Sequence, residues 1–518
     1  MSAPRSDYDL AVIGGGINGA GIARDAAGRG LRVLLVERAD LGGATSSASS
    51  KLIHGGLRYL EQYEWRLVHE ALEEREILLS IASHLVWPAR FVMPHVPALR
   101  PRWMIRAGLF LYDHLARRAR LPGSEAVRLD GTHWGQGLKT EFRNGFVYSD
   151  CRVDDARLVI ANARSALALG ASIRPRTELT RARREAGGWT LGLRRQDGGT
   201  DEARARVLVN AAGPWVKEVL NARIGQPSRD AVRLVKGSHI VLPRRYTGEH
   251  AYILQNDDRR VVFLIPYEED YTLVGTTDLQ LEGGSSAIGP AGIEPDAAEV
   301  DYLCRAANRY LTVQSTPADV LWRYAGVRPL YDDGTSNPSA VTRDYTLRLD
   351  AEGGAPPVLS VFGGKLTTYR RLAEQAMHRL LPYVDGAGGD WTATHALPGS
   401  EFSDRGAARA AASERYPWLP DSLLHGLFRR HGGALSEVLG DARRIEDLGE
   451  QFGTGAGALT ERELEWFVSE EWAETGEDVL WRRSKAGLRM DAATRERVAR
   501  RVEALAALAR ARSAGQDS

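Results

Sequence analysis

Lys51, His54 and Arg58 follow a run of small, mostly hydroxyl-bearing residues, Thr45-Ser46-Ser47-Ala48-Ser49-Ser50, and are interleaved with Gly55 and Gly56. A cation, a base that titrates near neutrality and a guanidinium so close together can take a proton from an alcohol and hold an anion beside a reactive group. A structural protein has little use for that combination. Two downstream arginines extend it: Arg328 in Gly-Val-Arg-Pro-Leu and Arg343 in Val-Thr-Arg-Asp-Tyr lie in otherwise apolar or turn-like stretches. A guanidinium fork grips phosphate at two points, which lysine cannot do. With Arg58 and Lys365 these arginines could build an anion cage. Any one arginine alone is more often a solvated surface group or the partner of an acid.

The elements that must position these groups begin at the N-terminus. Asp9 to Ile13 reads as a buried strand, followed by Gly14-Gly15-Gly16-Ile17-Asn18-Gly19, a small-residue helix and a second strand, Arg32 to Val36, closed by Glu37. In this G-x-G-x-x-G arrangement Gly14 allows the tight turn, Gly16 admits a pyrophosphate to the backbone, and Gly19 lets helix and strand pack. Glu37 stands where a ribose hydroxyl would be held. The fingerprint alone does not separate FAD from NAD. One fingerprint without a second downstream, followed by the Ser-rich loop, favours a single, permanently held FAD. The turn Asn210 to Trp215, with Ala212 and Gly213, suits a second contact with the same cofactor. Gly363 and Gly364, followed by Lys365, Leu366 and Thr367, precede another helix whose N-terminus would stabilise negative charge on the reduced ring. The expected FAD contacts are therefore Gly14, Gly16, Gly19, Glu37, Thr45, Ser46, Ser47, Ser50, Lys51, Ala212, Gly213, Gly363, Gly364, Lys365, Leu366 and Thr367. No His or Cys sits in an attachment motif, so noncovalent binding is expected.

The chain has 518 residues, 43% hydrophobic and 26% charged, with a formal net charge of +1. That length implies at least two domains, and the balanced charge argues against a nucleic-acid partner. Cys151 and Cys304 are too few for a zinc cluster or a disulfide framework, and no metal site is expected. No run is apolar enough for a signal peptide or a membrane span. The expected organisation is α/β. A doubly wound FAD domain covers 1–385, with flavin-binding parts at about 1–95, 145–225 and 340–385 and an inserted antiparallel substrate sheet at about 226–340. A linker at 386–405 and an all-α cap at 406–512 follow. Leu67, Val68, Ala71, Leu72, Leu78 and Leu79 mark one face of a helix, with Glu70, Glu73 and Glu74 towards the other. Thr460 with Glu463 forms a capping box, and Asp491 caps a last helix with Val498, Val502 and Leu505 inward.

The segment Pro101 to Leu121 mixes Trp103, Met104, Leu109, Phe110 and Leu111 with Arg102, Arg106, Arg117, Arg118 and Arg120. A basic helix carrying Trp and Phe suits a membrane interface with anionic lipid, and equally suits packing on the FAD domain with a solvated basic face.

Taken together, GGGINGAG, ATSSASSKLIHGGLRYLE, YSDCRVDDARL, KGSHIV, VGTTD, GVRPL, TRDYT and FGGKLTTYR, in that order along nearly the whole chain, resemble the FAD-dependent, respiratory glycerol-3-phosphate dehydrogenases. The resemblance implies a flavin domain of the D-amino-acid-oxidase type with a helical cap. The implied reaction is oxidation of sn-glycerol 3-phosphate to dihydroxyacetone phosphate, with electrons passed to ubiquinone or a similar membrane quinone. Arg58, Arg328, Arg343 and Lys365 match family substrate-pocket positions, and Tyr59 and His239 are expected to complete the pocket. The alcohol carbon must deliver a hydride to the flavin while its hydroxyl loses a proton. His54 matches a histidine proposed as the base, and Arg328 or Lys365 could stabilise the alkoxide instead. A homodimer is expected, peripheral on the cytoplasmic face of the inner membrane or cytoplasmic. The competing expectations are a soluble oxidase that passes electrons to oxygen and a non-catalytic dinucleotide sensor.

Overall fold

The computed structural model describes residues 7–96, 101–226, 230–258, 260–289, 292–332 and 344–516. Strand β1 (Tyr8–Ile13) runs through the turn Gly14–Gly16 into helix α1 (Ile17–Gly28) and on to β2 (Val33–Val36). β1 lies parallel between β2 and the strand Thr200–Asn210, with Val12 opposite Leu35 and Val209. The strand Val358–Phe362 adds in parallel beyond Thr200–Asn210, and Ser172–Arg174 adds beyond β2. These strands are apolar on both faces: helices cover one, and the hairpin of Thr177–Glu185 and Gly188–Arg195 covers the other through Leu179, Trp189 and Leu191. α1 and the helices Asp155–Ala168 and Tyr369–Leu380 pack on the sheet through Ala20, Ala23, Ala26, Ala163, Leu372 and Met377.

Among the described residues the second sheet has ten strands, and next to one edge the long strand Val232–Pro243 pairs antiparallel with Tyr271–Gly275 and with the edge strand Trp322–Tyr331. The sheet reaches outside the stretch 226–340: Val86–Pro94 and Asn144–Val153 form its far side, and Ala251–Gln255 pairs with Val86–Pro94 in parallel. The sheet is therefore mixed, and it adjoins the flavin-loop segment through the short strand Leu52–Ile53.

Helix α2 (Trp65–Ile81) buries the expected Leu67, Val68, Ala71, Leu72, Leu78 and Leu79, and it buries Glu74 and Arg75 as well. Glu74 accepts from Arg370 Nε at 2.8 Å, so this acid faces the interior rather than solvent. Residues 386–405 are packed against the FAD domain. Asp390 pairs with Arg29 at 2.6 Å, Trp391 lies against Gly28, and Leu397 is fully buried with its N–H on the Ile81 carbonyl.

The C-terminal region is helical, with Arg405–Arg415, Asp421–His431, Glu461–Glu471 and Ala492–Gln516 as its main helices. The Thr460 hydroxyl caps the third by accepting from Glu463 N–H, but the Glu463 carboxylate turns instead to Arg430 and His431. Asp491 caps the last helix through Thr494 N–H at 2.7 Å, and Val498 and Val502 are fully buried. This region grips the FAD domain through ions. Arg483 clasps both oxygens of Asp40 at 2.6 and 2.8 Å, Arg482 adds a bond at 2.6 Å, and Arg176 reaches back to Asp478 at 2.5 Å.

Candidate active site

The nucleotide end is built by close backbone approach. Gly14 has φ +112°, where L side chains are strained, and a Cβ there would lie 2.5 Å from the Ala211 carbonyl oxygen; one on Gly19 would lie 1.9 Å from the Gly14 carbonyl oxygen. By contrast, a Cβ on Gly16 meets only the Ser46 hydroxyl, at 3.2 Å. Protein packing forces glycine at 14 and 19, whereas Gly16 keeps an open side that could take a phosphate. The Glu37 carboxylate accepts from Gly15 N–H at 2.7 Å and Ala39 N–H at 2.8 Å, which fixes it at the β2 edge. Ala212 and Gly213 form the turn beside it, and Arg38 lies 4.1 Å over the Trp215 ring.

The Ser-rich loop joins this end to the second sheet. Ser46 Oγ accepts from Ile17 N–H at 2.9 Å, so the loop caps the first turn of α1. Thr45 donates to the Val327 carbonyl at 2.6 Å, Ser47 donates to the Ala44 carbonyl, and Ser50 pairs with His239 Nε2 at 2.9 Å. His239 is buried, stacked on Tyr324 at 4.8 Å. Burial, with Arg328 and Lys51 nearby, holds its pKa well below the ordinary histidine value, so its ring stays neutral. Lys51 does not point freely at a cofactor. Its ammonium is buried on Asp155, 2.9 Å from each carboxylate oxygen, and on the Ser47 carbonyl at 2.9 Å. Its role is to fix the loop from beneath.

His54 is half-buried, and its N–H donates to Thr367 Oγ1 at 3.3 Å. That bond brings the Ser-rich loop and the Gly363–Thr367 turn together across more than three hundred residues. The next residue, Gly55, donates to Tyr112 Oη at 2.9 Å, and the same hydroxyl donates to Asp150 at 2.7 Å; Arg75 completes this buried cluster at 2.7 Å from Asp150. Gly363 and Gly364 both have positive φ, with Asn18 Nδ2 on the Gly363 carbonyl at 3.2 Å and Asn18 Oδ1 buried without a partner among the described residues. Lys365 stands 4.0 Å over the Tyr59 ring, and Leu366 packs against the core beneath α1.

Arg328 crosses the sheet to Asp278 at 2.5 Å and Thr276 Oγ1 at 2.9 Å. Glycines make the crossing possible: a Cβ on Gly237 would collide with Arg328 at 2.1 Å, and one on Gly275 with the His239 ring at 2.1 Å. The structure thus brings Thr45–Ser50, His54, Tyr59, His239, Arg328 and Gly363–Thr367 to one junction between the sheets. The Arg58 side chain and Arg343 lie outside the described residues.

Sequence reasoning missed the acids and hydroxyls that hold this junction: Asp155 under Lys51, Asp150 and Tyr112 under Gly55, Asp278 and Thr276 on Arg328, and Asn18 on Gly363. The signal was present, because Asp150 and Asp155 lie in YSDCRVDDARL and Thr276 and Asp278 in VGTTD. Among the described residues no cluster of His, Cys, Asp and Glu could hold a metal ion.

A glycine turn open at Gly16, an acid fixed at the second strand and two glycines facing Asn18 form a cradle that fits a flavin dinucleotide. Residues 9–370 match the model of the FAD dependent oxidoreductase family, and the chain belongs to that family. Residues 391–513 match the C-terminal domain of alpha-glycerophosphate oxidase. The chain is 53% identical to a glycerol-3-phosphate dehydrogenase of Pseudomonas aeruginosa, covering 94% of this chain and 93% of that one. It is 51% identical to a D-erythritol 1-phosphate dehydrogenase of Brucella abortus, covering 96% and 97%. In fold it is similar to the FAD complex of a glycerol-3-phosphate dehydrogenase from Bacillus halodurans, with a TM-score of 0.70, 24% identity and coverage of 96% and 94%. FAD is its cofactor, and its fold is the D-amino-acid-oxidase type joined to a helical C-terminal domain.

Proposed function

We propose that the protein oxidises sn-glycerol 3-phosphate to dihydroxyacetone phosphate. The observation that carries this reading is the near full-length similarity to a glycerol-3-phosphate dehydrogenase, together with the junction of His54, Arg328 and Lys365. When bound, FAD supplies the hydride acceptor. His54 takes the hydroxyl proton, and the bonds on its own N–H and on Gly55 keep its backbone in place. Arg328 and Lys365, with Arg58 and Arg343, supply the positive field that holds the phosphate and steadies the developing alkoxide. Lys51 and His239 support the loop on which the flavin ring rests, and FAD is held without a covalent bond.

A longer polyol phosphate is the second reading, because similarity to the erythritol 1-phosphate enzyme is almost as high. Both readings require the same phosphate cage and differ in how many carbons the pocket admits. Under anaerobic conditions sn-glycerol 3-phosphate should bleach the flavin absorbance of the purified protein, and glycerol should not. Faster bleaching by D-erythritol phosphate would transfer the assignment to the longer substrate, and no bleaching by either would overturn the reading.

We assign the electron acceptor as a membrane quinone, reached by peripheral binding at the cytoplasmic face of the inner membrane, and the assembly as a homodimer. Support for membrane binding lies in helix α3 (Arg102–His114), which buries Ile105, Leu109 and Tyr112 yet leaves Trp103 73% and Phe110 54% exposed. The helix ends before the basic run does: Arg118 is bound to Asp113, and Arg120 donates to the Leu79 carbonyl. Arg106 donates to the Ser124 carbonyl and hydroxyl, so the cations left to meet anionic lipid are Arg102 and Arg117. No helix among the described residues is long and apolar enough to cross a membrane. Trp103→Ser with Phe110→Ser should leave dye-linked turnover intact while releasing the protein from anionic vesicles and slowing quinone reduction. A folded double variant that still binds vesicles would move the docking surface elsewhere.

A further inference from the structure

Lys51, Arg152, Asp154, Tyr267, Arg429 and Lys485 line a cavity of about 20 Å³ where the C-terminal region meets the second sheet. A space of that size holds one water-sized occupant. What distinguishes the cavity is the hydrogen-bonding capacity left over around it. Lys51 is fully engaged by Asp155 and the Ser47 carbonyl, and both terminal nitrogens of Arg429 are on Glu268. The ammonium of Lys485, a residue only 3% exposed, makes no hydrogen bond among the described residues, and Asp154 Oδ1 is 3.6 Å away. The Tyr267 hydroxyl, in a residue 5% exposed, likewise makes none among the described residues. Arg152 lies over the Trp87 ring.

The groups left facing the cavity are therefore mainly donors: an ammonium, a phenolic O–H and a guanidinium. The local charge points the same way. Lys51, Arg152, Arg429 and Lys485 stand against Asp154, Asp155 and Glu268, four cations to three carboxylates. A water molecule would bring two more donors and no charge. An occupant that only accepts, and carries one negative charge, would complete both counts, since a buried uncompensated ion is costly. Lys485 also holds φ 63°, a left-handed conformation that few L residues adopt without cause.

We propose that this cavity is a binding site for one small monovalent inorganic anion of chloride size. The anion would link the C-terminal region, through Lys485, to the strands carrying Arg152 and Tyr267. The site is separate from the phosphate cage around Arg328 and does not depend on the identity of the organic substrate.

The test uses the FAD-loaded full-length protein and bromide as the probe. Crystals grown in sodium bromide should show a bromine anomalous peak among Lys485, Tyr267 and Arg152. In solution the melting temperature should be higher in bromide or chloride than in gluconate of equal ionic strength, by roughly 2–5 °C, as expected for a ligand that binds only the folded state. Lys485→Met should abolish the anion-specific difference whatever it does to the melting temperature itself. Tyr267→Phe, which keeps the ammonium, should reduce the difference if the first variant fails to fold. No anomalous peak, no anion-specific shift in wild type, or a peak without any shift in solution would each overturn the proposal in favour of a buried water.

Discussion

The two ends of the cofactor cradle are made differently. At the nucleotide end, backbone meets backbone: Gly14 against Ala211, Gly19 against Gly14, and Gly15 N–H on Glu37. At the ring end, side chains from distant segments meet as buried ions and hydroxyls: Lys51 with Asp155, Arg75 and Tyr112 with Asp150, Arg328 with Asp278. The first design tolerates no added atom. The second does not tolerate the loss of one partner, because a buried charge left alone costs more than the pair contributed.

The largest effect should come from the nucleotide end. Gly19→Val forces a side chain into the Gly14 carbonyl and should yield no folded protein. Gly16→Val meets only a hydroxyl, so it should fold yet purify colourless. Circular dichroism and the visible spectrum separate the two, and flavin-loaded Gly16→Val would show that the pyrophosphate does not approach there.

At the ring end, Asp155→Ala should cost about 3–5 kcal/mol of stability by stranding the Lys51 ammonium. Replacing both partners, as Lys51→Met with Asp155→Leu, should recover much of that loss in urea unfolding. Equal losses in the single and double variants would mean that the pair is not what holds the loop.

Smaller still is Tyr112→Phe, which keeps the ring and removes the hydroxyl shared by Gly55 and Asp150. Asp150 keeps Arg75, and Gly55 N–H keeps Asp150 Oδ1 at 3.3 Å, so a loss of only about 0.5–1.5 kcal/mol is expected for the hydrogen bonds removed. It should appear mainly in kcat, since the backbone beside His54 loosens while the phosphate cage is untouched. A change confined to KM would contradict that assignment.

A further effect is graded with pH. Burial depresses the pKa of His84, His239 and His431, and that of His250 to about 4. Below the ordinary histidine value near 6.5 the unfolded chain takes up these protons and the folded protein does not, so their stabilising contribution is complete above that pH and is lost as pH falls. None of the four lies in the glycine turn. The urea midpoint should therefore decline between pH 7 and 5, and a flat profile would show that these rings are protonated in the fold.

Much of this was legible in the sequence, and unevenly so. The strand, glycine turn, helix and Glu37 are local in the chain, and each residue type has one physical reason to be there. The contacts of His54 with Thr367 and of Ser50 with His239 were not legible in the sequence, because contacts across hundreds of residues leave no local pattern. Lys51 shows the limit: a lysine beside a flavin loop reads as a ligand contact, and only the fold reveals Asp155 beneath it. Glu74 shows the same limit on a helix, where Arg370 overrides the amphipathic pattern.

The account rests most heavily on His54 as the proton acceptor at the ring end. The direct measurement is the rate of anaerobic flavin reduction by sn-glycerol 3-phosphate, followed across pH, in wild type and in His54→Asn with FAD retained. In wild type the rate should rise as a group of near-neutral pKa loses its proton, and in the variant it should be slower by a factor of about 10²–10⁴, with that pH dependence gone. A variant that reduces its flavin at the wild-type rate with the same pH profile would contradict the account.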